Sequence, residues 1–287
     1  MDMPVESTHV SELERLEREN RLIKLEYPYH PRHRTLNAQK SKAFALINEG
    51  KERYTDLLTQ FAKFSSDFEK IPVRNDTPNI LSPQWLNGWF PAVDAISLYG
   101  LLAINNPRLY VEIGSGNSTM FARQAIHDHQ LRTSIVSIDP FPRANIDSIC
   151  DRIIRSACED VPADFFESLT GEDVLFVDNS HRSFPNSDVT VFFTEILPCF
   201  PSGMIYGLHD IFLPWDYPDN WKDRFYNEQY LLAAYLMGGA AGDEILLPNA
   251  YITHVSSTLL GPLDGILKNP LLAGIESHGG AFWMKRA

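Results

Sequence analysis

From about residue 106 the chain alternates short apolar runs with stretches of helical periodicity. Leu109–Ile113, Ser134–Ile138, Ile153-Ile154, Asp173–Asp178 and Met204–Leu208 read as strands. Asp173–Asp178 is apolar through its middle, as a strand buried on both faces should be. Helical spacing follows from Ser118 onward and again from Val189 to Leu197, where Ser187 can cap and Pro198 ends the helix. A further helix is expected from Trp221 to Met237. Glu244–Leu247 and Tyr251–Val255 read as extended, and Ala281–Lys285 as a last strand after Gly279-Gly280. Alternating strand and helix predicts an α/β protein, a doubly wound, mostly parallel sheet with helices on both faces.

The first third has a different pattern. Glu12–Leu25 places Leu13, Leu16, Leu22 and Ile23 at helical spacing among Glu and Arg. A docked or solvated helix is the expectation there, with a homodimer handle as the alternative. The prolines in Tyr27–Arg34 forbid continued helix and predict a linker. Ala38–Phe68 is helical in pattern, Pro72–Pro83 is loop, and Pro91 opens a helix over Ala92–Leu102. Residues 1–105 are therefore expected to form a helical N-terminal extension and cap, and 106–287 the core. Within the cap, Trp85 and Trp89 are expected to pack, with a substrate mouth as the alternative.

Composition narrows the function classes. A formal charge of −12 over 287 residues argues against a nucleic-acid backbone or an anionic membrane as the main partner. Cys150, Cys158 and Cys199 are odd in number and form no C-x-x-C pair, which fits a reducing compartment. Met1–Glu6 lacks a basic, apolar leader pattern, and Leu231–Gly242 is too short to span a bilayer. The expectation is a cytoplasmic protein acting on a small-molecule substrate, with neither nucleic acid nor membrane as partner.

The turn between the first strand and its helix reads Glu112-Ile113-Gly114-Ser115-Gly116-Asn117. Glycines there let a ligand approach the main chain, and the helix start offers free N–H groups. The second strand ends in Asp139. At these residues the chain resembles the class I S-adenosylmethionine-dependent methyltransferases, with their E-x-G-x-G motif and an acid closing the second strand. The resemblance implies a Rossmann-like seven-stranded sheet with an antiparallel last strand. It further implies cofactor contacts at Glu112, Gly114, Ser115, Gly116, Asn117 and Asp139, with Glu159 after the third strand near the adenine. A nicotinamide-binding protein is the rival, but Thr119 stands where its third glycine belongs.

The fourth and fifth strands end in Asp178-Asn179-Ser180-His181 and His209-Asp210. Ligands of open parallel sheets bind beyond the carboxyl ends of strands, so these residues are expected on one rim with the glycine turn. The pairs resemble those of metal-dependent sugar and macrolide O-methyltransferases. That resemblance implies metal ligands at Asp178 and Asp210 and a base at His181, so Asp178 and His181 are the catalytic candidates. His209 stands where those enzymes commonly carry an acid. The resemblance implies a divalent metal, magnesium or manganese, and His209 as a ligand beside Asp178 and Asp210 points to a softer one such as manganese or zinc. The expected activity is S-adenosylmethionine-dependent O-methylation of a small hydroxylated or sugar-containing molecule. The alternatives are a non-catalytic cofactor-binding scaffold of the same fold and an NAD-dependent dehydrogenase.

Overall fold

The computed structural model describes residues 11–19, 21–29, 41–75, 81–142, 145–255 and 257–287. Residues 30–34 of the expected linker, 38–40 of the expected helical stretch and 76–80 of the expected loop lie outside the described residues. The chain divides into two units, Met1–Thr35 and Leu36–Ala287.

In the first unit, α1 (Glu12–Arg18) is closed by a capping box between Ser11 and Glu14. It ends at Arg18, short of the expected Leu25. Two turns held by one cap do not propagate through the exposed Leu22, Ile23 and Leu25 without a buried face.

The second unit begins with α2 (Lys42–Asn48), α3 (Lys51–Phe61), α4 (Ser65–Phe68) and α5 (Ala92–Asn105). There follow β1 (Leu109–Ile113), α6 (Asn117–His129), β2 (Ser134–Ile138), β3 (Arg152–Ile154), α7 (Ala163–Glu167), β4 (Val174–Val177), α8 (Asp188–Val191) and β5 (Ile205–Leu208). The unit closes with α9 (Glu228–Met237), β6 (Glu244–Pro248), α10 (Asn249–Val255) and β7 (Phe282–Lys285). The seven strands form one sheet in the order β3-β2-β1-β4-β5-β7-β6. Strands β1 to β5 pair in parallel, and β7 runs antiparallel to both β5 and β6. The expected Rossmann-like sheet with its reversed last strand is the one observed.

Helices α3, α4 and α5 share the core of the sheet. Tyr54, Leu58, Phe61 and Phe68 are fully buried, and α5 buries its whole length from Ala92 to Leu102. Among these apolar side chains stands one acid, Asp94.

Three further expectations change in the structure. Tyr251–Val255 is helical, within α10, although its β-branched residues favour strand. Tertiary burial of Tyr251 and Ile252 and the side-chain bonds of Asn249 to Asp94 and Ser97 override that preference. The helix expected over Trp221–Met237 is two pieces, a 3-10 turn over Asp219–Arg224 and α9. Phe225 between them sits at φ 55°, and the His181 carbonyl accepts the N–H groups of Asn227 and Glu228 that open α9. Past Val191, α8 widens into a π turn over Phe192–Ile196. Ser187 stands at its cap position, but its hydroxyl bonds Arg182 and Phe184 instead.

Register turns four separate strand ends into one row. Ile113 lies opposite Ile138 and Val177, and Val177 opposite Leu208. The next residues, Gly114, Asp139, Asp178 and His209, continue the backbone ladder. Their N–H groups donate to Ile138, Ile154, Ile113 and Val177 at 3.0, 3.2, 2.8 and 2.8 Å. No helix of the described residues is long and apolar enough to cross a membrane.

Candidate active site

Along the row of strand ends opens a cavity of about 700 Å³, within the range of small-molecule sites. Of the expected cofactor residues, Gly114, Ser115, Gly116, Asn117, Asp139 and Glu159 line it, as do Asp178, His181, His209 and Asp210.

The β1–β2 side is built from main chain. Gly114 has φ +79°, and a Cβ there would lie 1.9 Å from the Asp178 carbonyl oxygen. Only glycine lets β1 and β4 close so tightly beneath the turn. At Gly116 the same test meets nothing within 4 Å, because the missing side chain would project into the cavity. One glycine is required by the protein, and the other keeps space open. Asp139 fixes the turn by accepting the Ser115 N–H at 3.0 Å and the Phe141 N–H at 2.8 Å. Glu159 is exposed at the cavity edge.

Glu112 is not among the residues that line the cavity. It points inward from β1, fully buried, and accepts hydrogen bonds from Tyr110 (2.9 Å) and Thr119. Thr119 also accepts the Gly116 N–H at 3.0 Å, so Glu112 supports the turn from below. Burial raises its carboxyl to about 7, against the lowering effect of hydrogen bonds from Ser118, Thr119 and Tyr110.

The β4–β5 side is built from charge. His181 Nε2 lies 3.2 Å from Asp178 Oδ1 and 3.4 Å from Asp210 Oδ2, while His209 Nδ1 lies 3.3 Å from Asp178 Oδ1 and 3.5 Å from Asp210 Oδ1. Two imidazoles thus flank one pair of carboxylates. Each is backed on its far nitrogen by a fully buried acid: His181 Nδ1 by Glu228 at 2.9 Å, and His209 Nε2 by Asp94 at 3.2 Å. An acid on the outer nitrogen fixes the tautomer and aims the inner nitrogen.

The protonation of the cluster follows from these contacts. Burial works against charging His181, but hydrogen bonds to Asp178 and Glu228 outweigh it and hold its pKa well above the usual imidazole value. His209 is raised in the same way by Asp178 and Asp210. Burial would raise Asp178, yet the two imidazoles hold it well below the ordinary carboxylate range. In Asp210 and Glu228 burial prevails, and both are raised. His181 and Asp210 also adopt φ 58° and 55°, a region that costs a non-glycine residue energy and that clusters at functional sites.

Donor atoms of Asp178, His181 and Asp210 all lie within 4.8 Å of one another, the one such group among the described residues. Two carboxylates and an imidazole form an N/O set that fits a divalent transition metal and is less suited to magnesium. His209 lies outside that convergent group, beside Asp178 and Asp210 and tied to Asp94. A class I cofactor likewise fits the β1–β2 side, where Gly116 leaves its space open and Asp139 closes β2.

Asp94 and Glu228 are functional neighbours that sequence reasoning missed. The one local signal for Asp94 was an acid within the all-apolar face of Ala92–Leu102. Glu228 gave none, since the helix expected over Trp221–Met237 put it in the interior. Of the tryptophans, Trp85 is buried and donates to the Phe68 carbonyl, whereas Trp89 is exposed and lines the cavity. Trp215 stacks on Tyr251 away from the cavity, and Trp221 lines it. Cys158 is buried, with its thiol pushed far up by burial, as a packing residue and not a nucleophile.

None of the curated proteins matches the chain. Among solved structures, the Podospora anserina methyltransferase PaMTH1, crystallised with SAH, is similar at 15% identity over 81% of this chain and 88% of that one, with a TM-score of 0.42. The O-methyltransferase TomG from Streptomyces achromogenes, in complex with SAM, is similar at 13% identity over 88% and 100%, with a TM-score of 0.41. MycE from the mycinamycin biosynthetic pathway, in complex with Mg, SAH and mycinamycin VI, is similar at 14% identity over 79% of this chain and 53% of that one, with a TM-score of 0.39. A family model described as a methyltransferase domain matches residues 111–211, the segment from β1 through the end of β5 that carries the glycine turn, Asp139 and the acid–histidine cluster. Residues 111–211 are thus similar to a methyltransferase domain, and they lie on the Rossmann-like sheet described above.

Proposed function

We propose that the protein is an S-adenosylmethionine-dependent O-methyltransferase of a small hydroxylated molecule. The observation that carries this reading is the row of strand ends, which sets the glycine turn and Asp139 beside Asp178, His181, His209 and Asp210 in one cavity.

Methyl transfer is an in-line displacement. The acceptor oxygen forms a bond to the methyl carbon as the carbon–sulfur bond breaks, S-adenosylhomocysteine leaves, and the hydroxyl proton must go to a base. Gly114, Ser115, Gly116 and Asn117 offer main-chain groups and open space to the cofactor, Asp139 its ribose partner, and Glu159 a contact at the adenine edge. Asp178 and Asp210, the two carboxylates of the convergent group, would hold a divalent cation. When bound, such a cation supplies Lewis acidity that lowers the pKa of the acceptor hydroxyl. With the two carboxylates so engaged, His181 keeps its Nδ1–H on Glu228 and presents Nε2 to the hydroxyl proton.

Calorimetry with S-adenosylhomocysteine and with NAD tests the class, and binding of NAD alone would move the protein among the dehydrogenases. Chelation is expected to suppress turnover while leaving S-adenosylhomocysteine affinity nearly intact. His181→Ala is expected to retain metal and lower kcat by on the order of 10²–10⁴-fold. Loss of the metal in that variant would make His181 a ligand instead of the base.

A further inference from the structure

The cavity lining is unbalanced in charge. Asp139, Glu159, Asp178, Asp188 and Asp210 face it, and among the described residues Arg224 is its one lysine or arginine. The Arg224 guanidinium lies 4.0 Å from the centroid of the Trp221 ring and 5.6 Å from that of Tyr226. No carboxylate of the described residues pairs with it. Its neighbour Arg182 is differently employed, since Nε and Nη1 donate to the carbonyls of Arg224 and Ser180 at 2.8 and 3.2 Å and clamp the loop. Arg182 buttresses the loop, and Arg224 keeps an uncommitted fork.

Topology puts this fork on the acceptor side. The cofactor residues follow β1, β2 and β3, whereas Arg224 follows β5, across the sheet order from them. Tyr226, two residues on, packs its ring 4.7 Å from that of His181. A molecule reaching from His181 along Tyr226 towards Trp221 would meet aromatic faces and then the guanidinium. A guanidinium held over an indole by cation–π attraction can still offer its N–H groups to a planar carboxylate through two parallel bonds. A doubly charged phosphate would meet greater repulsion from the five acids.

We propose that the acceptor is a hydroxylated aryl carboxylate whose carboxylate is received by Arg224 on Trp221 while its hydroxyl lies at Asp178, His181 and Asp210. This assignment rests on the methyltransferase reading and names the substrate class for that site.

The probes are 4-hydroxybenzoate, its methyl ester and phenyl phosphate, titrated by calorimetry with and without saturating S-adenosylhomocysteine. The acid is expected to bind on the order of ten-fold more tightly than the ester, the increment of one charge-assisted bidentate contact. Arg224→Gln should erase that preference, Arg224→Lys should keep part of it, and S-adenosylhomocysteine affinity should hold within about two-fold in both. Arg224 is exposed, so neither variant threatens the fold. Equal binding of acid and ester, no binding of the acid, a preference that survives Arg224→Gln, or tighter binding of phenyl phosphate would each overturn the assignment. A fall in S-adenosylhomocysteine affinity without acid preference would give the guanidinium to the cofactor instead. If wild-type protein binds no S-adenosylhomocysteine yet keeps an Arg224-dependent acid preference, the carboxylate subsite stands and the methyltransferase reading fails.

Discussion

The two sides of the cavity reach a ligand by opposite means. After β1 and β2 the wall is main chain and empty space: a turn closed by Gly114, opened by Gly116 and pinned by Asp139 through N–H groups. After β4 and β5 it is side chains, two imidazoles and two acids, each imidazole backed by another acid from a helix distant in sequence. A main-chain cradle depends on residues being absent, so one added methyl group is its natural perturbation. A charged cluster depends on partners being present, and loss of a partner disturbs it most.

Gly114→Ala should have the largest effect. The new Cβ meets the Asp178 carbonyl at 1.9 Å from a backbone at φ +79°, so β1 and β4 cannot both keep their places. Destabilisation of about 3 kcal/mol or more is expected, read as a depressed melting temperature with loss of S-adenosylhomocysteine binding. A normal melting curve would break the claim that the two sides share this contact.

Glu228→Gln acts on the charged side alone. Without the carboxylate behind it, His181 loses its fixed orientation, and turnover should fall by on the order of 10–100-fold. S-adenosylhomocysteine affinity is the control, since the β1–β2 side does not touch Glu228. If both fall together in calorimetry, the sides are not independent.

Glu112 offers a pH test on the main-chain side. Its carboxyl is raised from the ordinary 4.5 to about 7 in the folded protein. Between those values the folded state holds a proton that the unfolded state has released. The associated stability is fully present below 4.5 and is lost as pH rises through 7. Relative to Glu112→Gln, the wild-type protein should therefore lose on the order of 1–3 kcal/mol between pH 5 and 8 in denaturant titrations. Parallel curves would mean that the Glu112 proton is not linked to folding.

The mildest change is Gly116→Ala, where nothing stands within 4 Å of the added methyl group. Stability should hold, while S-adenosylhomocysteine affinity drops by about ten-fold, the cost of one methyl group forced against a ligand. Unaltered affinity would place the cofactor elsewhere.

Legibility in the sequence followed the same division. The apolar runs gave the strands because parallel strands bury both faces, and register then carried Gly114, Asp139, Asp178 and His209 into one row. Glu112 belongs to the motif, yet its side chain shares a strand face with Tyr110 and turns into the core, a direction the motif does not encode. Asp94 and Glu228 escaped because each reaches its histidine from a helix 115 or 47 residues away, a separation that no local pattern spans. The helix at Asn249 was misread as extended for a related reason: its stability comes from burial and from Asp94, and its own propensities point the other way.

The loop of residues 211–227 is anchored at both ends in the charged cluster, by Asp210 before it and by Glu228 after it, and the His181 carbonyl holds its exit. Such a segment behaves as a cassette. Its length and aromatic content can be rewritten by insertion or recombination while the acid–histidine frame stays clamped. New acceptor preferences on this scaffold should therefore arise first as changes within 211–227, and grafting that loop between related chains is the shortest route to changing what is methylated.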